Sequence, residues 1–98
     1  MTWWRDRESA VRIYEEIAGV LRSLGIRFAD RLSTADLRIS DEYIDANELG
    51  LALEHLADQL CEYHLPVSPD ERVDMLALAE RMEIEERVAG CLELCPMR

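Results

Sequence analysis

Glu48-Leu49-Gly50-Leu51-Ala52-Leu53-Glu54-His55-Leu56-Ala57-Asp58-Gln59-Leu60-Cys61-Glu62-Tyr63, then Pro66 and Ser68-Pro69-Asp70-Glu71, is the stretch of this 98-residue chain that decides its fold class. Leu49, Ala52, Leu53, Leu56, Leu60 and Tyr63 return at helical spacing and predict a helix over about 48–63 with these side chains inward. Glu54, Asp58 and Glu62 fall on the opposite side. Pro66 lacks an amide hydrogen and stops the helix. Ser68-Pro69-Asp70-Glu71 then combines a hydroxyl cap, a proline at the first helical position and an acid three residues on, the pattern of a capping box.

The same reading extends in both directions. Upstream, Ala10, Ile13, Tyr14, Ile17, Leu21 and Leu24, with Val20 alongside, predict an amphipathic helix over about 7–23 closed by Gly25. Trp3 and Trp4 read as a hydrophobic staple or end cap, with a binding anchor as the alternative. Ser33 or Thr34 caps a second helix carrying Leu37, Tyr43 and Ile44, which ends near Asn47, a residue tolerant of left-handed geometry. A short strand over 37–40 is the alternative there. Downstream, Val73, Leu76, Leu78, Ala79 and Met82 form the buried side of a fourth helix. A short fifth spans about 84–94, supported by Glu83 and Arg87 four residues apart. Short connections imply mostly antiparallel neighbours. The expectation is all-α: one helical domain over residues 1–98, a bundle of four main helices plus a short C-terminal helix.

Charge narrows the function. Eleven Arg against 21 acids give a net charge of −10. Residues 1–40 sum to +1 and residues 41–98 to −11. Between Arg38 and Arg72 there is no cation but nine carboxylates, Asp41, Glu42, Asp45, Glu48, Glu54, Asp58, Glu62, Asp70 and Glu71. Glu54, Asp58 and Glu62 repeat at four-residue spacing, and like charges so placed cost a helix about 0.2–0.5 kcal/mol per pair. Binding nucleic acid needs cations to neutralise phosphates, and anionic membranes repel such a chain, so a basic protein is the expected partner. Solubility alone is the competing explanation of the acidity. The absence of an 18-residue apolar run and the charged start of the chain lead us to expect a cytoplasmic protein.

Catalytic chemistry has little to stand on. His55 and His64 are the only histidines, and there is no phosphate-binding glycine loop or nucleophile motif. The positions three before the histidines are Ala52 and Cys61, so the Glu-x-x-His pattern of a di-iron bundle is absent. We expect neither an enzyme nor a cofactor. Cys61-x-x-His64 and Cys91-x-x-x-Cys95 are two pairs with chelating spacing, but they form a zinc site only if their helices converge. Buried cysteines packing on apolar faces are the simpler reading, and no metal is expected.

The runs Glu48–Leu60, Leu65–Glu71 and Leu76–Met82 resemble the MafI-type immunity proteins of bacterial polymorphic toxin systems, a resemblance spanning residues 41–83. In that family a glutamate and Gly-Leu-Ala-Leu-Glu open a central helix, and Ser-x-x-Glu starts the next. Members often carry glycine just before that first glutamate and just after that methionine, where this chain has Asn47 and Glu83. The resemblance implies a small cytoplasmic antidote that binds a cognate toxin, often a nuclease. The partner-facing residues expected from the charge pattern are Asp41, Glu42, Asp45, Glu48, Glu54, Asp58 and Glu62, with Tyr43 and Tyr63 as aromatic anchors or, equally, as core tyrosines with hydroxyls at the surface. An acidic chaperone or adaptor for a basic secreted protein is the alternative. The oligomeric state is left open.

Overall fold

The computed structural model describes residues 3–98, with side chains from residue 7 onward; the Trp3 and Trp4 side chains, assigned above to a staple or cap, lie outside the described residues. Five helices follow in order: α1 (Trp3–Arg27), α2 (Thr34–Asp45), α3 (Leu49–Glu62), α4 (Pro69–Arg81) and α5 (Glu85–Glu93), with a 3-10 turn at Phe28–Asp30 after α1. The all-α bundle with a short C-terminal helix is the observed fold. No helix among the described residues is long and apolar enough to cross a membrane.

The most apolar helix takes the centre. α3 packs against each of the other four helices, and its Ala52, Leu53, Leu56 and Leu60 are fully buried. Ile17, Leu21 and Leu24 from α1, Ile44 from α2, Met75 and Leu78 from α4, and Val88 and Leu92 from α5 close around them in one core.

Helix ends explain why connections are so short. Ser33 accepts the Asp36 amide at the start of α2, deciding between Ser33 and Thr34. Ser68 and Glu71 form the expected capping box, with both reciprocal bonds present. Asn47, His64 and Glu83 take φ of 60°, 49° and 60°. After α2 the Asn47 amide donates to Ile44 and the Glu48 amide to Tyr43. After α3 the His64 and Leu65 amides donate to Cys61 and Leu60. After α4 the Glu83 and Ile84 amides donate to Glu80 and Ala79. Each is a Schellman end, built here without glycine at the left-handed residue.

Four expectations about the helices are corrected. α1 runs through Gly25, because Leu24 and Phe28 must be buried one turn apart and Gly25 lies in the α1–α2 contact, where a Cβ would meet Leu37 at 3.9 Å. Ala10, Ile13 and Val20 are exposed rather than inward. The 25 residues of α1 extend about 37 Å, against about 21 Å for α3, so the first half of α1 overshoots the bundle. On α4, Val73 and Leu76 face outward, Val73 65% exposed, while Met75 is fully buried; the reason is the buried Glu71, which Arg31 pulls inward with bonds of 2.7 and 2.8 Å. Tyr63 is 59% exposed, capping the C-terminus of α3 instead of joining the core.

Arg72 ties the C-terminal segment to the bundle. Its guanidinium donates to the carbonyls of Val67 (3.2 Å), Leu92 (2.7 Å), Cys95 (2.8 Å) and Pro96 (3.1 Å). Beside it Val67 forms a single parallel bridge with Met97. Arg72→Ala is expected to cost about 2 kcal/mol, since bonds from a charged donor to several part-buried carbonyls are lost together. Urea unfolding and faster amide exchange at Val67 and Arg98 would register it; unchanged exchange there would show that the clasp is dispensable.

Candidate partner interface

α3 and α5 lie side by side and run in the same direction. Gly50 adjoins Ile84, Glu54 and Asp58 meet Arg87, and Asp58 meets Cys91. Along this seam Tyr43, Leu51, Glu54, His55, Asp58 and Arg87 line a depression of about 190 Å³. Three of the expected partner residues, Tyr43, Glu54 and Asp58, are therefore brought together.

Their electrostatics differ from the expectation of an unopposed stripe. Arg87 Nε lies 2.8 Å from Glu54 Oε2, and Nη2 lies 2.7 Å from Asp58 Oδ2. These carboxylates are part-buried, with side chains 20% and 40% exposed, not fully outward. The Arg87 pair with Asp58 and the nearby Glu54 raises its affinity for the proton, so it stays charged. Arg87 reaches across to α3 instead of forming the expected pair with Glu83, which sits in the left-handed turn before α5. Asp58 Oδ1 also accepts from the Cys91 thiol at 3.4 Å. Burial, followed by the Asp58 bond, pushes Cys91 up to about 11 and keeps it a neutral donor.

Behind the seam, the Tyr43 and His55 rings are tilted at 59° with centroids 6.3 Å apart. His55 Nε2 is buried without a hydrogen-bond partner, 3.8 Å from Asp36 Oδ1. This histidine is a wall of the depression held by packing.

The acidity continues at the N-terminus of α5. Glu83, Ile84, Glu85, Glu86 and Arg87 line an adjoining open depression of about 470 Å³. Five carboxylates, Glu54, Asp58, Glu83, Glu85 and Glu86, thus surround one arginine. The sequence reading missed Glu83, Glu85, Glu86 and Leu51, though the run Glu83-Ile84-Glu85-Glu86 was the available signal. Acids in the first turn of α5 are also where a helix dipole favours them.

The remaining expected residues are elsewhere. Asp45 pairs with Arg22 of α1 at 2.8 Å, and Asp41 borders a separate α1–α2 groove with Arg22, Ile26 and Leu37. Glu42 is exposed on α2, and Glu62 and Tyr63 lie at the opposite end of α3 from its start. Glu48 is exposed at the N-cap of α3, where its side chain makes no capping bond. The acids expected on one face are thus divided among several surfaces, because α2 turns one side to α1 and another to α3.

The cysteines do not build a chelating centre. Cys61, Cys91 and Cys95 are free, His64 is exposed in its left-handed turn, and no cluster of three or more His, Cys, Asp or Glu among the described residues is placed to hold a metal ion. Comparison of the chain with family models, with curated proteins and with solved structures yields no match.

Proposed function

We propose that this chain is a MafI-type immunity protein that binds and neutralises a cognate bacterial toxin carrying a basic surface, acting in the cytoplasm and without catalysis of its own. The carrying observation is how charge is distributed. Arg22, Arg27, Arg31, Arg81, Arg87 and Arg98 each lie against a carboxylate of the same chain, and Arg72 is engaged by backbone carbonyls. Glu83, Glu85 and Glu86 beside the α3–α5 seam have no ion pair among the described residues. Arg12 and Arg38 are exposed without an ion pair, so among the described residues unpaired acids outnumber unpaired arginines.

A nuclease toxin holds phosphates with Lys and Arg, so this surface suits occlusion of such a cleft or a basic patch next to it. Steering by exposed acids brings association toward about 10⁸–10⁹ M⁻¹s⁻¹ at low salt. Retention then falls to desolvated contacts, for which Tyr43 and the exposed Leu51 are the nearby groups. Asn47 and Glu83 add support to the family reading: both are left-handed, the conformation glycine would favour at those family positions.

Co-expression with the product of the neighbouring gene tests the reading. Wild type should rescue growth. Glu85→Lys/Glu86→Lys, at sites free of internal pairs, should slow association at least about tenfold at low salt and flatten its salt dependence. Glu54→Lys/Asp58→Lys should do the same. No rescue by wild type would defeat the function, and unchanged salt dependence in both double variants would defeat the face.

A further inference from the structure

α3 and α5 keep one register along their parallel seam. The contacts of Gly50 with Ile84, Glu54 with Arg87 and Asp58 with Cys91 have offsets of 34, 33 and 33 positions. Continued one helical turn beyond Asp58, the same register sets Cys61 level with Leu94 and Cys95. Cys61 follows Asp58 by three positions and Cys95 follows Cys91 by four, so both stay on the seam side of their helices. Cys61 and Cys91 are half-buried against the core, and Cys95 is buried within it.

Electrostatics agree with this placement. Burial, with the Asp58 bond at Cys91, raises the proton affinity of Cys91 and Cys95, and negative charge on Cys61 raises both further, an influence that falls with distance. In the reduced chain Cys91 donates to Asp58 Oδ1 at 3.4 Å and Cys95 to the Cys91 carbonyl at 3.5 Å. Cys91 is thus held by a carboxylate on α3. Cys95 lies past the last residue of α5, outside the regular helix, where a small adjustment can bring the pair to the Cα spacing of about 4.4–6.8 Å that a disulfide needs.

We propose that Cys61 and Cys95 form a reversible thiol–disulfide site whose oxidant is a low-molecular-weight disulfide. The Cys61 thiolate attacks one sulfur of the small disulfide, forming a mixed disulfide and expelling one small thiolate, which takes up the proton that Cys61 lost to solvent. The Cys95 sulfur then attacks Cys61 Sγ, the mixed bond breaks, and the second small thiolate leaves with the Cys95 proton. Two electrons and two protons pass from the protein thiols to the small disulfide, which departs as two thiols. The new bond ties the end of α5 to the end of α3 and leaves the Cys91 bond to Asp58 in place. It stands on the placement of the thiols and does not depend on the immunity reading.

The probe is cystamine, a cationic disulfide that the net charge of −10 does not repel, added to the full chain at about pH 8, where more of a thiol is thiolate. Alkylation, intact mass and peptide mapping follow. The native chain should lose two hydrogen atoms and yield a linked Cys61–Cys95 peptide pair, with Cys91 alkylated as a thiol after unfolding, and dithiothreitol should reverse the change. Cys61→Ser should abolish the link, Cys95→Ala should stop at the cystamine adduct on Cys61, and Cys91→Ala should leave the link intact. The wild-type map decides the pairing even where a variant fails to fold. A Cys61–Cys91 link, a wild-type chain that stops at the mixed adduct, or the same mixture of pairs in urea as in the native chain would each overturn the proposal.

Discussion

Replacing Glu71 with alanine is expected to lower the unfolding free energy by about 3 kcal/mol, near the bottom of the range for breaking a buried ion pair. Glu71 and Arg31 side chains are only 5% and 7% exposed. Their fork-to-fork contact has bonds of 2.7 and 2.8 Å, and Glu71 also accepts the Ser68 amide at 2.9 Å. Its removal strips the capping box and leaves Arg31 to Asp30 and two backbone carbonyls. The lower end of the range applies because those partners remain. The Arg31 bond, opposed by burial and helped by the Ser68 amide, lowers the Glu71 carboxyl from its ordinary 4.5 to about 2. A group depressed by folding contributes fully above its unfolded value, and that contribution is lost as the pH falls through the folded one. Wild-type stability should therefore drop between pH 4.5 and about 2, and Glu71→Gln should flatten that limb. Urea midpoints measured across this interval give the answer. A loss under about 1 kcal/mol for Glu71→Ala would place the pair among ordinary surface contacts.

Helix identity was legible because it is written in local periodicity and end chemistry. Ser33, Asn47 and Ser68 mark boundaries that the structure keeps within about two residues, the usual spread of helix ends, whereas α3 ends at Glu62, four residues before Pro66, with the left-handed turn at His64 between them. Helix phase was less legible. Val73 and Leu76 are as apolar as Met75 and Leu78, and long-range contacts, Arg31 with Glu71 40 positions apart, Arg27 with Asp74 and Arg72 with the Leu92 and Cys95 carbonyls, go with the turn that buries Met75 and Leu78. The left-handed backbone at His64 and Glu83 was less legible than at Asn47, because histidine is enriched there without being diagnostic and glutamate as a residue type gives no signal.

The candidate interface was partly legible for a related reason. A scan for neighbours three or four apart finds Glu54, Asp58 and Glu62 without a cation, yet Arg87 reaches Asp58 from 29 positions away. Arg22 reaches Asp45 across 23. Charge composition survives folding unchanged, whereas charge pairing is a tertiary property. The excess of acid over base was therefore readable, while its pairing was not: Asp45, Glu54 and Asp58 are engaged by arginines, whereas Asp41, Glu42, Glu48 and Glu62, like Glu83, Glu85 and Glu86 at the start of α5, are exposed without an ion pair among the described residues.

Phe28→Ala is expected to cost about 3–5 kcal/mol, as for other large aromatic side chains deleted from a packed core. Phe28 is completely buried, in the 3-10 turn that lets the chain leave α1 and reach α2. The Arg31 guanidinium carbon stands 4.9 Å from the centre of its ring, so the same side chain that holds Glu71 also covers Phe28. Loss of the ring removes a core anchor and the surface that positions Arg31. The two sites should consequently couple. Phe28→Ala/Glu71→Ala should depart from the sum of the single losses by at least about 0.5 kcal/mol, the threshold above which contacting networks are distinguished from independent sites. Phe28→Leu, which keeps much of the apolar volume, should lose clearly less than Phe28→Ala. Denaturant unfolding of the single and double variants, with slopes compared to exclude a change in the unfolded state, decides it. Strict additivity would mean that Arg31 holds Glu71 in place without help from the ring beneath it.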